Sequence, residues 1–272
     1  MSQEPKIPVD LTGVPETLLW TLFFRAQEAA RPDALLQDPV AVDLVERIDY
    51  PFEARFNQGS GWAQWQALRA LTFDQAIRGF LAEHPEGTVI SLGEGLETQF
   101  WRVDNERLRW VGVDLPEVSG LRNQALPVSD RRTQVSASII EDVWMRGIDD
   151  SKGLLITAQG LLMYLQRNQV HDLFRRCAQR WPGAQILWDG VPRWAIFATA
   201  KQGGATEDAS MRPPAMSWWM DGREAKALPG VGQVRRLHPP KGRGMLFSRV
   251  LPVLERAPLV RANLLSVWSA RF

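Results

Sequence analysis

The sequence predicts an α/β fold, and three observations indicate it. First, short apolar, β-branched runs alternate with amphipathic stretches between residues 88 and 192, which is typical of parallel strands joined by right-handed crossovers. Second, the apolar run at residues 89–92 stops at a Gly-Glu-Gly turn. Third, the next run, residues 110–113, ends in Asp114. We therefore expect a Rossmann-like, seven-stranded, mostly parallel sheet with one antiparallel strand.

Residues 1–86 are expected to form a helical N-terminal cap. Apolar side chains recur on one face of a first helix that ends at the Arg31-Pro32-Asp33 break. Asp38 and Pro39 are the residue types favoured at the N-cap and first position of a second helix. After a break at residues 59–61, a third helix is expected over residues 62–84.

The remaining residues, 87–272, are expected to form the ligand-binding α/β domain. Five strands are predicted at residues 89–92, 110–113, 134–137, 153–158 and 185–189. Helices are predicted between them, at residues 96–103, 116–126, 144–149 and 168–180. Two closing strands are expected at residues 233–237 and 264–270, and the second is the expected antiparallel strand.

Composition narrows the class of protein. The chain of 272 residues has a formal net charge of +1 and no dense basic run, so it lacks the charge pattern of a nucleic-acid-binding protein. One cysteine and three scattered histidines give neither an internal disulfide nor a zinc-binding constellation. The polar N-terminus and the lack of an apolar run of about 18 residues predict no leader and no membrane span. We expect a cytoplasmic enzyme without a metal.

The glycine turn and Asp114 predict a nucleoside-binding site. Glycines let the backbone approach a ligand closely, and an acid at the tip of the next strand accepts hydrogen bonds from ribose hydroxyls. Glu94 and Glu97 lie in this turn, where carboxylates would repel a dinucleotide diphosphate but attract a sulfonium and an ammonium group. The pattern therefore favours S-adenosylmethionine over NAD. The alternative for Asp114 is a helix N-cap ahead of Pro116.

Six ordered motifs between about Thr17 and Trp194 resemble the leucine carboxyl methyltransferase and polyketide-type O-methyltransferase family of class I S-adenosylmethionine-dependent enzymes. The motifs are LFFRAQE around Arg25, DALLQDPVAVDLV at residues 33–45, LRALTFD around Arg69, LGEGLET and VDLPEV at the first two strand ends, and QGLLMYL at residues 159–165. The resemblance implies the same fold and S-adenosylmethionine as the cofactor.

The resemblance also implies roles in cofactor binding for four residues of these motifs. Arg69 would pair with the methionine carboxylate, which suits a guanidinium fork. The alternative is that Arg69 is a solvated or salt-bridged surface residue of a long helix. Gly93 and Gly95 would lie under the methionine and the ribose, and Asp114 would bind the ribose hydroxyls.

Three further residues complete the implied cofactor site. Ser138 and Ile139 lie roughly where the family places an acid and an apolar residue against adenine, so serine would give a weaker contact. Gln159 stands where many relatives carry a glutamate. Its carbonyl oxygen can accept a hydrogen bond from the methionine ammonium, but an amide cannot act as a general base.

The acceptor is expected to be a small molecule with a carboxylate or an acidic hydroxyl. An ionised acceptor needs no base, and the sequence shows no His/Asp or His/Glu pair near the cofactor motifs. Residues 201–230 lie where family members insert a cover over the acceptor, so we expect a lid there. The candidate acceptor contacts are Trp194, Met216, Trp218 and Trp219. The alternative is that Trp218 and Trp219 only close the core.

The sequence therefore predicts an S-adenosylmethionine-dependent O-methyltransferase acting on a small molecule in secondary metabolism, with no catalytic residue identified. Two alternatives stay open. One is a catalytically inactive regulatory protein that keeps the cofactor site, which Gln159 suggests. The other is a nicotinamide-dependent oxidoreductase, which Glu97 disfavours.

Overall fold

The computed structural model describes residues 5–56, 60–200, 214–254, 256–257, 260–261 and 263–272. Its N-terminal elements are strand β1 (Ile7–Pro8), helices α1 (Thr17–Ala29) and α2 (Pro39–Arg47), strand β2 (Ile48–Asp49), and helices α3 (Phe52–Arg55) and α4 (Ser60–Glu83). Helix α2 begins as predicted, since the Asp38 side chain accepts a hydrogen bond from the Ala41 amide at 3.1 Å. Gly61 belongs to α4, so the predicted break between helices does not extend to this residue.

A seven-stranded sheet forms the centre of the fold and confirms the predicted architecture. Its strands are β3 (Thr88–Leu92), β4 (Arg109–Asp114), β5 (Arg132–Ser136), β6 (Leu154–Ala158), β7 (Gln185–Gly190), β8 (Arg235–Leu237) and β9 (Ser266–Arg271). They lie in the order β5-β4-β3-β6-β7-β9-β8, and β9 pairs antiparallel with both of its neighbours. The strand order reverses between β3 and β6, and open α/β sheets bind ligands at such a switch point.

The remaining helices connect these strands. They are α5 (Gln99–Val103), α6 (Pro116–Ala125), α7 (Arg167–Arg180), α8 (Arg193–Ala200), α9 (Gly222–Lys226) and α10 (Leu251–Leu254). The helix predicted at residues 144–149 was wrong: only a 3-10 turn at Val143–Met145 forms, because Gly147 has a φ of +69° and leaves the helical region. Within the described residues, no helix is both long and apolar enough to cross a membrane.

Alternate residues of the buried strands pack into two different hydrophobic clusters. On β3, Val89 packs with Phe73 of α4, whereas the next residue, Ile90, packs with Phe174 of α7. Because successive strand side chains point to opposite faces, α4 covers one face of the sheet and α7 covers the other. Helix α4 therefore lies on the face of the sheet from which its Arg69 reaches the cavity beside the glycine turn.

Only part of the predicted lid can be described, because residues 201–213 lie outside the described residues. Residues 214–220 form neither helix nor strand. The Ser217 amide donates to the Met163 carbonyl at 2.7 Å, and the Met220 amide donates to the Val191 carbonyl at 3.0 Å. These bonds tie the segment to the loops that follow β6 and β7, at the carboxyl edge of the sheet.

A buried cluster of charges joins the N-terminal helices to the segment after the glycine turn. Arg25 of α1 lies 3.2 Å from the Glu97 carboxylate. Arg102 of α5 lies 2.8 Å from the carboxylates of Asp38, Asp74 and Glu97. All five side chains are at most 8% exposed. A buried charge is tolerated only where partners compensate its lost hydration, so these groups depend on one another.

Replacing Arg102 by methionine should therefore lower the free energy of unfolding by about 3–5 kcal/mol, since it leaves three buried carboxylates short of a partner. Chemical denaturation followed by tryptophan fluorescence measures the loss. Arg31→Met is the matched control, because Arg31 pairs with Asp33 at 2.9 Å but is 41% exposed. The control should lose less than about 1 kcal/mol. Similar losses in both variants would contradict the structural role of the buried cluster.

Candidate functional site

The turn after β3 brings backbone close to the switch point of the sheet. Gly93 and Gly95 have φ values of +58° and +53°, a region that side chains disfavour. A Cβ atom on Gly93 would also lie 2.7 Å from the Leu161 side chain, and one on Gly95 would lie 3.1 Å from Leu18. The backbone conformation therefore favours glycine at both positions, and the neighbouring leucines leave little room for a side chain.

Asp114 ends β4 and faces the glycine turn. One carboxylate oxygen accepts from the Gly95 amide at 2.6 Å, and the other accepts from the Leu115 amide at 2.8 Å. Burial raises the pKa of Asp114 above its usual value. The N-cap alternative was wrong, because Leu115 occupies the N-cap position of α6 and the helix has no side-chain cap. Each carboxylate oxygen keeps a lone pair that can accept from a ribose hydroxyl.

Glu94 and Glu97 do not act as the free charges that the sequence suggested. The Glu94 carboxylate lies 2.9 Å from Arg122 and accepts from the Trp110 ring nitrogen at 2.6 Å. Burial alone would raise the pKa of Glu97, but the guanidinium groups of Arg25 and Arg102 lower it to about 2. The Glu97 carboxylate is therefore ionised, and arginines pair with both glutamates. Both residues line the cavity described below, and the predicted attraction of the cofactor to their charges stays a prediction.

Gln159 directly follows β6 and lines the same cavity as the glycine turn that follows β3. Its side-chain NH2 donates to the Glu97 carboxylate at 2.9 Å, which fixes the orientation of the amide. Its carbonyl oxygen is buried and has no hydrogen-bond partner among the described residues. A buried acceptor without a donor is costly, so this oxygen fits an ammonium group such as that of a methionine moiety.

A cavity of about 350 Å³ collects all the residues that the sequence assigned to cofactor binding. They are Arg69, Gly93, Gly95, Asp114, Ser138, Ile139 and Gln159. The structure adds apolar residues that the sequence did not identify, such as Leu115 and Val118 beside the glycine turn. This volume lies within the range of small-molecule sites. The donor and acceptor set suits a nucleoside joined to a zwitterionic amino acid.

Arg69 of α4 lies on the wall between this cavity and a second one. Its guanidinium donates to the Asp189 carboxylate at 3.0 Å, and its side chain is only 15% exposed. The alternative is therefore right that Arg69 forms a salt bridge, but wrong that it is a solvated surface residue. Asp189, at the carboxyl end of β7, also accepts from the Gly160 amide at 2.8 Å, and burial raises its pKa. One sequence signal points to Asp189, its position at a predicted strand end, but the site prediction missed this residue.

The second cavity, of about 330 Å³, adjoins the first. The two share the residues Thr17, Thr21, Arg69, Gly160 and Tyr164. Its walls include the aromatic side chains of Trp20, Trp62, Trp65 and Trp194. The predicted acceptor residues Trp194 and Met216 lie here, whereas the three tryptophans of α1 and α4 were not predicted.

Trp218 and Trp219 line neither cavity, so the structure does not place them with the other two predicted acceptor residues. Trp218 is 3% exposed and packs in the core, with its ring edge-on to His171 at 6.2 Å. Trp219 lies under the Arg193 guanidinium at 5.3 Å. The amides of both Ser217 and Trp218 point at the Met163 carbonyl, which turns Trp218 inward. The core-packing alternative therefore describes Trp218.

Comparisons with known proteins agree with this geometry. The sequence model of the leucine carboxyl methyltransferase family matches residues 19–178. The tetracenomycin polyketide synthesis O-methyltransferase TcmP of Streptomyces glaucescens is 33% identical over 196 residues, which cover 71% of this chain and 72% of TcmP. The S-adenosyl-L-methionine-dependent methyltransferase dpfgK of Gibberella zeae is 32% identical over 183 residues, which cover 62% and 61% of the two chains.

Solved structures show the same fold at much lower sequence identity. The CurJ carbon methyltransferase superposes with a TM-score of 0.55 at 13% identity, over 94% of this chain and 67% of that one. At this identity the likeness concerns the fold alone.

Asp114→Ala should weaken binding of S-adenosylhomocysteine by about 1–3 kcal/mol, because it removes the acceptor for the ribose hydroxyls. Arg69→Ala should cost at least as much, since it removes a charged partner of the methionine carboxylate. Isothermal titration calorimetry measures both. Asp43→Ala, an exposed carboxylate of α2, is the control and should bind as the wild type does. Unchanged affinity in the Asp114 and Arg69 variants would show that the cofactor binds elsewhere.

Proposed function

The chain belongs to the leucine carboxyl methyltransferase family of S-adenosylmethionine-dependent enzymes, and from that premise we propose that it methylates an oxygen of a small aromatic molecule. The acceptor oxygen belongs to a carboxylate or to an acidic hydroxyl. Membership of this family argues against the alternative of a nicotinamide-dependent oxidoreductase. The role of TcmP in tetracenomycin polyketide synthesis supports a place for this protein in secondary metabolism.

The observation that carries this proposal is the junction of the two cavities. Methyl transfer is an in-line displacement, so the enzyme must hold cofactor and acceptor end to end and exclude water. The cofactor supplies an activated methyl group on a sulfonium sulfur. The cavity built from the glycine turn suits the cofactor, and the second cavity meets it at Arg69, Gly160 and Tyr164. That arrangement supports transfer across the shared wall.

The walls of the second cavity support an aromatic acceptor. The Trp20 and Trp62 rings lie 5.6 Å apart, and Trp65 and Trp194 line the same space. Tryptophan rings offer flat, polarisable surfaces, which favour stacking with a planar molecule. The flexible Met216 side chain adapts to irregular shapes.

Gln159 gives no reason to expect an inactive protein. It lines the cofactor cavity, where its amide holds Glu97, and it is not among the residues of the second cavity. A glutamine at this position therefore affects the affinity for the cofactor and leaves the lining of the acceptor cavity unchanged.

Incubation with S-adenosylmethionine and paired aromatic phenols and carboxylic acids tests the proposal. Formation of S-adenosylhomocysteine together with a methylated product supports it. Mild alkali separates the two product classes, because methyl esters hydrolyse and methyl ethers do not. Methyl transfer to nitrogen or carbon acceptors alone would contradict an O-methyltransferase.

Trp194→Ala and Met216→Ala should raise the KM for the acceptor, by about 2- to 10-fold for the tryptophan, since one stacking surface is lost. Affinity for S-adenosylhomocysteine should be unchanged, because neither residue lines the cofactor cavity. Trp218→Ala is the matched control: it should lower the thermal midpoint through a core cavity and leave the acceptor KM unchanged. A KM effect confined to Trp218 would show that the second cavity is not the acceptor site.

A further inference from the structure

We propose that Asp189 is the general base of the reaction, and that the acceptor is a hydroxyl that carries its proton at neutral pH, such as a phenol, rather than a carboxylate. The proposal rests on the proposed function and resolves the choice between its two acceptor classes. It is carried by the place of Asp189 at the junction of the two cavities.

Asp189 lies near the carboxyl end of β7 and lines the second cavity but not the first. Its two hydrogen-bond donors, the Arg69 guanidinium and the Gly160 amide, belong to residues that line both cavities. The carboxylate is therefore on the acceptor side of the wall across which the methyl group passes. A general base must reach the proton of the attacking oxygen, and this position meets that requirement.

The carboxylate also has capacity for one more donor. One oxygen accepts from Gly160 at 2.8 Å, and the other accepts from Arg69 at 3.0 Å. An ionised carboxylate has about four acceptor positions, so a hydroxyl hydrogen can still be bound. Burial raises the pKa of Asp189, which makes it a stronger base than an exposed aspartate.

The charges around Asp189 favour a hydroxyl over a carboxylate acceptor. Arg69, from α4, is the cation that contacts Asp189, and its charge is compensated by that contact. Tyr164 faces the pair from the turn after β6, and burial raises its pKa, so it is neutral. Arg236 of β8 lines the same cavity, donates to the Arg261 carbonyl at 2.7 Å and lies over the Trp268 ring. A carboxylate acceptor would meet the negative charge of Asp189, whereas a hydroxyl would donate to it.

The proposed step moves one proton and one methyl group. The hydroxyl proton of the acceptor moves to Asp189 while the acceptor oxygen forms a bond to the methyl carbon. The bond from that carbon to sulfur breaks, and its electron pair stays on sulfur. Asp189 then returns the proton to water after the product leaves.

The test uses Asp189→Asn and hydroxyaromatic acceptors of different acidity. For weakly acidic phenols, wild-type kcat/KM should fall at low pH as Asp189 becomes protonated, and the variant should be slower by about 100-fold or more at neutral pH. For a nitrophenol that is ionised throughout the assay, the variant should lose far less, because no proton has to be removed. Asp172→Asn on the exposed face of α7 is the control and should behave as the wild type does.

Cofactor affinity separates a base from a residue that only positions Arg69. Under the proposal, Asp189→Asn binds S-adenosylhomocysteine about as tightly as the wild type in calorimetry. Weaker binding together with an equal rate loss for all acceptors, regardless of their acidity, would show that Asp189 acts by holding Arg69 and would overturn the proposal.

A measurement on the wild-type protein covers the case in which the variant does not fold. The absorbance of a nitrophenol bound beside S-adenosylhomocysteine reports its ionisation. A neighbouring carboxylate should raise the pKa of the bound phenol above its value in water. A lowered value, or methylation of carboxylic acids only, overturns the proposal and leaves an O-methyltransferase. Absence of methylation of every oxygen acceptor, despite cofactor binding, would instead overturn the proposed function.

Discussion

The buried cluster of arginines and carboxylates around Arg102 is the interaction on which the site depends. It binds α1, α2 and α4 to the segment that follows β3, and each helix contributes a residue to it. Burying a charge costs hydration free energy, and oppositely charged partners offset this cost only when their geometry is fixed. The cluster therefore fixes α1 and α4 against the sheet, and these two helices supply Trp20, Trp65 and Arg69 to the cavities.

The sheet supplies the other half of the site at its carboxyl edge. Asp114 ends β4, Gln159 follows β6, and Asp189 lies near the end of β7, so neighbouring strands present their polar groups to one space. The order of the strands determines which cavity each of these polar groups faces. The groups beside the switch point between β3 and β6 face the cofactor cavity, and the group one strand further out faces the second cavity.

The sequence predicted best where the signal is local. The strand ends, the Asp38 cap and the glycine turn follow from short patterns, and the seven predicted cofactor residues meet in one cavity. What it missed depends on tertiary packing. The side toward which Trp218 turns is set by the Met163 carbonyl, and the pairing of Glu94 with Arg122 joins distant segments. The role of α1 in the second cavity follows from how it packs on α4, which no periodicity shows.

The arginines paired with Glu94 and Glu97 weaken the long-range attraction that these carboxylates exert on a cationic cofactor. Recognition then rests on groups with unused hydrogen-bonding capacity. The Asp114 carboxylate suits hydroxyls, the Gln159 carbonyl suits an ammonium, and the Arg69 guanidinium, whose Nε has no partner among the described residues, suits a carboxylate. One cation and two acceptors match a nucleoside joined to a zwitterionic amino acid, so short-range complementarity supports S-adenosylmethionine.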